Sequence, residues 1–229
     1  NLKENRIKDL IDFAFLEKKS FNFIKGDLVD LNDLGKVFNN SMNNKLKISI
    51  VIHLAAQAGV RYSIQNPSAY VQSNLVGFCN IIEESKSNNV DHFIYASSSS
   101  VYGGNKKLPF SEKDSVDHPV SIYAATKRSN ELIAHTYSHL YQLPCFGLRF
   151  FTVYGPWGRP DMAPMIFAKS IFEGKTIKIY NDGDMVRDFT YIDDIVETIL
   201  RLLDKTPCKG LDFDEMNPAP STSWAPHQI

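Results

Sequence analysis

Apolar side chains at Ile7, Leu10, Ile11 and Phe15 recur at helical spacing, so the chain is expected to open on the end of a helix that stops at the polar run 17–20. Residues 21–24 then predict a short strand ended by Gly26, and 30–38 a helix capped by Asp30. The run 48–54 (ISIVIHL) is almost unbroken and rich in β-branched residues. Without alternation, it reads as a central parallel strand covered on both faces. Downstream, 67–87 predicts a long helix, His92–Ala96 a buried strand, 121–141 a second long helix and 145–150 another strand. Alternation of this kind predicts the α/β class, with a doubly wound parallel sheet.

Beyond Gly155 the pattern loosens. The segment 155–161 (GPWGRPD) is rich in turn residues, 164–172 predicts a short helix entered through Pro164, and 177–180 a short strand. Asp193 is expected to cap a helix over 195–203, where Ile195, Ile199, Leu202 and Leu203 make one apolar stripe. From Thr206 the chain is rich in Pro and Ser, has no period, and is expected to be loop. The expected organisation is one domain over 1–154 and part of a second region over 155–229. Because the chain begins at Asn1, inside a helical pattern, it is expected to be a piece of a longer protein.

These elements can close on a core, since 43% of the 229 residues are hydrophobic and 22% charged. A formal net charge of -1, from 25 Lys and Arg against 26 Asp and Glu, lacks the basic excess of a nucleic-acid or anionic-membrane binder. A small-molecule partner is expected, with no nucleic acid and no membrane. No run approaches the about 18 apolar residues of a membrane span, and the opening NLKENRIKDL is too polar for a signal-peptide core. A cytoplasmic location is expected. Cys79, Cys145 and Cys208 are odd in number and widely spaced, which suits neither a disulfide framework nor a metal site. Buried, inert thiols are expected.

The candidate chemistry lies in Ser98, Tyr123 and Lys127. Tyr123 and Lys127 stand four apart on the helical 121–141 segment and so share a face. A tyrosine near its ordinary pKa of about 10 is a poor base at neutral pH, and a nearby ammonium favours the phenolate. Ser98 follows the His92–Ala96 strand, at the carboxyl edge of the expected sheet, where open α/β folds place their ligands. Its hydroxyl can hold a substrate oxygen while Tyr123 moves a proton. A lone YxxxK pair is equally an ordinary solvated or packing pair; a serine run ending a buried strand, followed by a loop and YxxxK, is more specific.

Six strings stand in order along the chain: GDLVD at 26–30, HLAAQAGVRYS at 53–63, YASSSSVYG at 95–103, YAATK at 123–127, LRFFTVYGPWGRPDMA at 148–163 and VRDFTYIDDI at 186–195. Through them the sequence resembles the extended short-chain dehydrogenase/reductase family, within it the nucleotide-sugar epimerases, and most of all the UDP-glucuronate 4-epimerases. The resemblance implies a Rossmann-like sheet truncated at its N-terminal end with part of a smaller substrate-binding lobe that is interleaved with the first domain. It implies NAD as cofactor, a UDP-sugar as substrate, and in the intact parent a homodimer formed through the helices 67–87 and 121–141. Tyr123 would take the proton of the sugar 4-hydroxyl as hydride leaves C4 for NAD. Ser98 would hold the developing oxygen charge, and Lys127 would lower the pKa of Tyr123 and bind the nicotinamide ribose. The 4-keto sugar would turn over and be reduced from its other face, with no net redox change.

Other positions follow from the same resemblance. Asp27 and Leu28 match the adenine contact, against a turn or cap role for Asp27. Ala55, Ala56 and Gln57 follow the 48–54 strand, where small side chains let the main chain approach the cofactor. Asn74 would hold main chain near the cofactor, against an ordinary helix-face role. His53 reads as a packed core histidine. On the substrate side stand Ser99 and Ser100 beside Ser98, and Arg187, whose guanidinium suits a diphosphate, against a surface ion pair with Asp184 or Asp188. Tyr180 would stack on uracil or serve as a plain strand aromatic. Thr152, where UDP-hexose epimerases commonly carry Asn, together with Arg159 and Arg61, would serve a uronate carboxylate; Arg159 would otherwise cap the surface.

The phosphate-binding fingerprint is missing: none of the 12 glycines forms GxGxxG or GxxGxxG, and the acidic residue expected about 20 residues beyond it is missing too. The sheet is therefore expected to lack two strands, and this chain alone to be inactive. Two readings compete with epimerase. A dehydratase or decarboxylase of the same family is one, although dehydratases carry Asp and Glu where Ser99 and Ser100 stand. A non-catalytic truncated domain that docks to partners is the other.

Overall fold

The computed structural model describes residues 2–43, 46–179, 181–184, 186–208, 213–219 and 225–229, with the side chains of 40–43 excepted. The chain divides into two compact units, Asp27–Phe151 with Asp193–Ile229, and Asn1–Gly26 with Thr152–Ile192. The division is interleaved, the chain passing from one unit to the other after Gly26, after Phe151 and after Ile192.

The larger unit holds a parallel sheet of β1 (Ile50–His53), β2 (His92–Ala96), β3 (Cys145–Leu148) and β6 (His227–Gln228), in that spatial order. Parallel neighbours need crossovers, and helices supply them. β1 leads through α3 (Val60–Gln65), α4 (Pro67–Tyr70) and α5 (Gly77–Ser87) into β2, and α6 (Ile122–Tyr141) joins β2 to β3. Before β1, α2 (Leu31–Asn43) starts as its sequence predicts, with the Asp30 carboxylate accepting from the Asn32 N–H at 2.8 Å. Ser121 caps α6 in the same way, accepting from the Ala124 N–H at 3.0 Å.

The core lies between sheet and helices, where Leu34 and Phe38 of α2, Phe78 and Ile82 of α5, and Phe93 and Tyr95 of β2 close on one another. Gly147 of β3 stands opposite Tyr95 in register. A Cβ there would lie 2.6 Å from the Tyr95 hydroxyl, so glycine is what leaves room for this buried phenol. The hydroxyl in turn meets His227 Nε2 at 3.0 Å.

In the smaller unit, α1 (Leu2–Leu16) and α7 (Ala163–Phe172) accompany a parallel pair, β4 (Thr152–Tyr154) and β5 (Phe189–Tyr191). The Arg6 guanidinium donates to the Trp157 carbonyl. α8 (Ile192–Leu203) begins where the chain returns to the larger unit.

Several sequence expectations are corrected. Residues 21–24 and 177–179 form no strand, and position 180 lies outside the described residues. The 48–54 run is trimmed to four residues and lies at an edge of the sheet, with Ile52 42% exposed, because no strand pairs with its outer side among the described residues. The 67–87 helix is interrupted by a π-turn over Val71–Val76. α8 starts at Ile192, which places Asp193 in the first turn rather than at the cap. The end of the chain is not all loop, since β6 adds to β3. Of the thiols, only Cys145 is buried, where burial pushes its pKa up to about 12; Cys79 is half-buried and Cys208 exposed. No helix among the described residues is long and apolar enough to cross a membrane.

Candidate active site

The carboxyl ends of β1, β2 and β3 define one edge of the sheet, the edge at which such folds bind ligands. Past β2 the ladder continues for two rungs, from the Ser97 N–H to the Leu148 carbonyl at 2.8 Å and from the Ser99 N–H to the Phe150 carbonyl at 2.9 Å. This holds Ser98 at the exit of β2, 8% exposed. Its hydroxyl oxygen accepts from the Ser100 N–H at 3.1 Å and caps a 3-10 turn, Ser99–Tyr102. Ser99 and Ser100 are half-buried within that turn.

The YxxxK face of α6 comes to the same place. Lys127 is 2% exposed, and its ammonium donates to the Ala96 carbonyl at 2.7 Å, two residues before Ser98. Burial pulls its pKa down to about 8, so it remains cationic at neutral pH. The charge acts on its surroundings: His53, buried at the end of β1, is pushed down to about 3 by its own burial and then by Lys127. His53 is the packed core histidine expected, edge-on to Phe78 and stacked on Phe93. Tyr123, half-buried one turn before Lys127, sets its ring edge-on to Tyr70 at 6.1 Å.

At the exit of β1, Ala55 is exposed and Ala56 half-buried. The main chain of Gln57 is held at both ends by Asn74, whose Oδ1 accepts from the Gln57 N–H at 2.8 Å and whose Nδ2 donates to the Gln57 carbonyl at 3.0 Å. The same Nδ2 reaches Thr126 Oγ1 on α6 at 3.0 Å, tying the loop to the helix that carries Tyr123. Asn74, 1% exposed, is thus no ordinary helix-face residue.

Other candidates are engaged differently. The Asp27 carboxylate accepts from the Val29 N–H at 3.0 Å and so serves its own turn. Leu28 packs against the core beside Gly77, where a Cβ would come within 3.1 Å of it. Arg61 is exposed on α3. Thr152, Arg159 and Arg187 belong to the smaller unit. There Thr152 is half-buried on β4, Arg159 Nε pairs with Asp161 at 3.1 Å, and Arg187 is exposed and donates to the Val186 carbonyl at 2.8 Å. Tyr180 lies outside the described residues.

Two features of the site escaped the sequence reading. Glu131 is fully buried one turn beyond Lys127, accepts from Ser97 Oγ at 2.6 Å, and binds Arg149 through two bonds of 2.9 Å. It therefore joins α6, the exit of β2 and the exit of β3 beneath Ser98. The 123, 127, 131 spacing was its signal: three polar residues on the face whose further members, Ala134 and Ser138, are buried. Tyr70 is the second feature, and nothing in its local sequence marks it.

Protein CapI of Staphylococcus aureus is 53% identical over 229 residues, which is all of this chain and 65% of that protein. UDP-glucuronate 4-epimerase 4 of Arabidopsis thaliana is 54% identical over 195 residues, 83% of this chain and 44% of that protein. Among solved structures, UDP-glucuronic acid 4-epimerase from Bacillus cereus in complex with UDP-glucuronic acid and NAD matches with a TM-score of 0.74 at 35% identity, over 95% of this chain and 62% of that one. The chain spans less than two thirds of the length of each of these proteins. Residues 3–211 match the NAD dependent epimerase/dehydratase family, and the chain belongs to it.

Proposed function

We propose that the complete protein interconverts UDP-glucuronate and UDP-galacturonate by epimerisation at C4. One observation carries this reading: the Lys127 ammonium is fastened to the Ala96 carbonyl, which brings the YxxxK face of α6 to the exit of β2 beside Ser98. The identities above with named UDP-glucuronate 4-epimerases support the choice of sugar.

The residues present suit the nicotinamide end of NAD. A buried cation stands at the sheet edge, and the small side chains of Ala55 and Ala56 leave approachable main chain next to a Gln57 immobilised by Asn74. Tyr123 and Lys127 would hold that end. When bound, NAD supplies the acceptor, and then the donor, of the C4 hydride. Tyr123 takes the proton of the 4-hydroxyl and returns it after the sugar has turned over, acting as general base and then general acid. Lys127 favours the phenolate through its charge, and Ser98 donates to the sugar oxygen as negative charge grows there. Serine at positions 99 and 100 leaves no carboxyl group there to drive an elimination. The exposed Val71, Leu132 and Leu140 on the 67–87 and 121–141 helices support a second copy as partner.

NMR of UDP-glucuronate incubated with the complete protein and NAD is the test, with Tyr123→Phe as control. Appearance of the galacturonate signals is expected, with a loss of about a hundredfold to ten-thousandfold in kcat for the variant. Turnover of UDP-glucose without turnover of UDP-glucuronate would sink the substrate assignment, and a Tyr123→Phe enzyme of unchanged rate would sink the mechanism.

A further inference from the structure

Tyr70 is fully buried, yet it is an aromatic with a polar end. Its hydroxyl is directed at the turn that leaves β1, 2.5 Å from the Gly59 carbonyl and 3.0 Å from that of Ala58. Gly59 has φ 105°, a conformation that an L side chain rarely adopts, so this turn is one that its surroundings must hold in place. The other side of the ring meets Tyr123 edge-on, with centroids 6.1 Å apart and planes at 77°. One side chain therefore touches both the main chain just beyond Ala55, Ala56 and Gln57, the residues expected to lie along the cofactor, and the ring expected to transfer the proton.

The π-turn explains how Tyr70 and Asn74 both reach that turn. Tyr70, Asn74 and Phe78 are all buried at a spacing of four. Sustained twice, that spacing drifts by roughly 80° around an α-helix of 3.6 residues per turn. The wider turn over Val71–Val76 absorbs the drift and keeps the three on one face. Phe78 then enters the core, while Tyr70 and Asn74 hold the main chain of residues 57–59.

We propose that Tyr70 is a positioning residue, which through its hydroxyl fixes the Ala58–Gly59 turn and through its ring sets the orientation of Tyr123. The inference rests on the proposed function for its catalytic consequence, though not for the turn itself. Tyr70→Phe keeps the ring and removes the hydroxyl. In the complete protein without added ligand, amide hydrogen exchange over residues 58–61 should quicken about threefold to tenfold, the equivalent of one ordinary hydrogen bond. In the loaded enzyme, kcat per folded molecule should fall by about the same factor. The KM for the UDP-sugar should stay within about twofold, and the pH profile of kcat should not move, because Tyr123 still carries the proton. Tyr70→Leu, which also removes the ring from Tyr123, should lower kcat further. A role confined to packing would lower stability without this split. The proposal fails if Tyr70→Phe leaves either the exchange over 58–61 or kcat at the wild-type level. A wild-type protein without any turnover would defeat the proposed function instead, and exchange alone would then decide on Tyr70.

Discussion

A buried ammonium opposes folding, and Lys127 is such a group at the centre of the site. Its pKa of about 8, against the ordinary 10.5, reflects the loss of water around the charge. Below about pH 8 the folded and unfolded chains both carry the proton, and folding bears the whole cost of desolvating it. Between about 8 and 10.5 the unfolded chain binds a proton that the folded chain has released, so stability rises with pH through that window. The difference corresponds to about 3 kcal/mol. Lys127→Met removes the charge, keeps much of the length, and leaves the Ala96 carbonyl without its donor, a loss of about 1 kcal/mol. In the complete protein the variant should lose the proposed epimerisation, and it should be more stable than wild type at neutral pH by about 1–2 kcal/mol. The gain should disappear towards pH 10. Urea unfolding at both pH values checks this, and a gain that persisted at the higher pH would show that the lysine's charge is not its cause. Tyr123 and Lys127 were legible in the sequence because a spacing of four on a helix fixes a shared face. The cost of burying Lys127 was not, because it depends on what packs over the ammonium.

Helices were read closely where local chemistry sets their ends. Asp30 and Ser121 accept from main-chain N–H groups two and three residues on, and both sit where the sequence placed a helix start. Elements that depend on distant partners were read less well. The strand β6 is two residues long and exists only because Cys145 and Phe146 offer it a parallel edge. Residues 21–24 have strand composition but pair with no strand among the described residues, and composition alone forms no ladder. The π-turn is likewise a tertiary result, set by the turn after β1 that Tyr70 and Asn74 hold. Pairing also explains Gly147, which interrupts an otherwise bulky strand. Its opposite number Tyr95 is fully buried and bonded to His227, so an added Cβ meets a hydroxyl at 2.6 Å and a ring carbon at 2.7 Å with little freedom to retreat. Gly147→Ala should therefore destabilise the larger unit by about 1–3 kcal/mol, the usual effect of overpacking. A denaturant midpoint equal to that of wild type would show that β2 and β3 can slide apart at no cost.

Across the described residues, the candidate catalytic groups are well supported and much of the apolar surface is not. Ser98, Lys127 and Asn74 are all nine-tenths buried or more and bonded within the larger unit. By contrast α1, α7 and α8 have no buried residue, and Phe172 is 91% exposed. The two halves of a dinucleotide are served just as unequally. Under the proposed function the nicotinamide end would meet a cation and approachable main chain, whereas a pyrophosphate is ordinarily held by N–H groups at a helix N-terminus entered through a glycine-rich turn. None of the 12 glycines forms that turn. Asp27, aligned by resemblance with the adenine contact, has one carboxylate oxygen on the Val29 N–H. Half of a cofactor site cannot recover the energy of the whole, because immobilising the ligand costs nearly the same while fewer contacts repay it. The purified 229-residue chain should accordingly bind NAD more weakly than about 1 mM, which corresponds to about 4 kcal/mol. It should also bind an apolar dye strongly through its uncovered helices. Isothermal titration with NAD, run on material shown by circular dichroism to be folded, decides the matter. A saturable micromolar isotherm would mean that residues 1–229 contain a pyrophosphate cradle of another kind, and that the missing fingerprint is not what limits this chain.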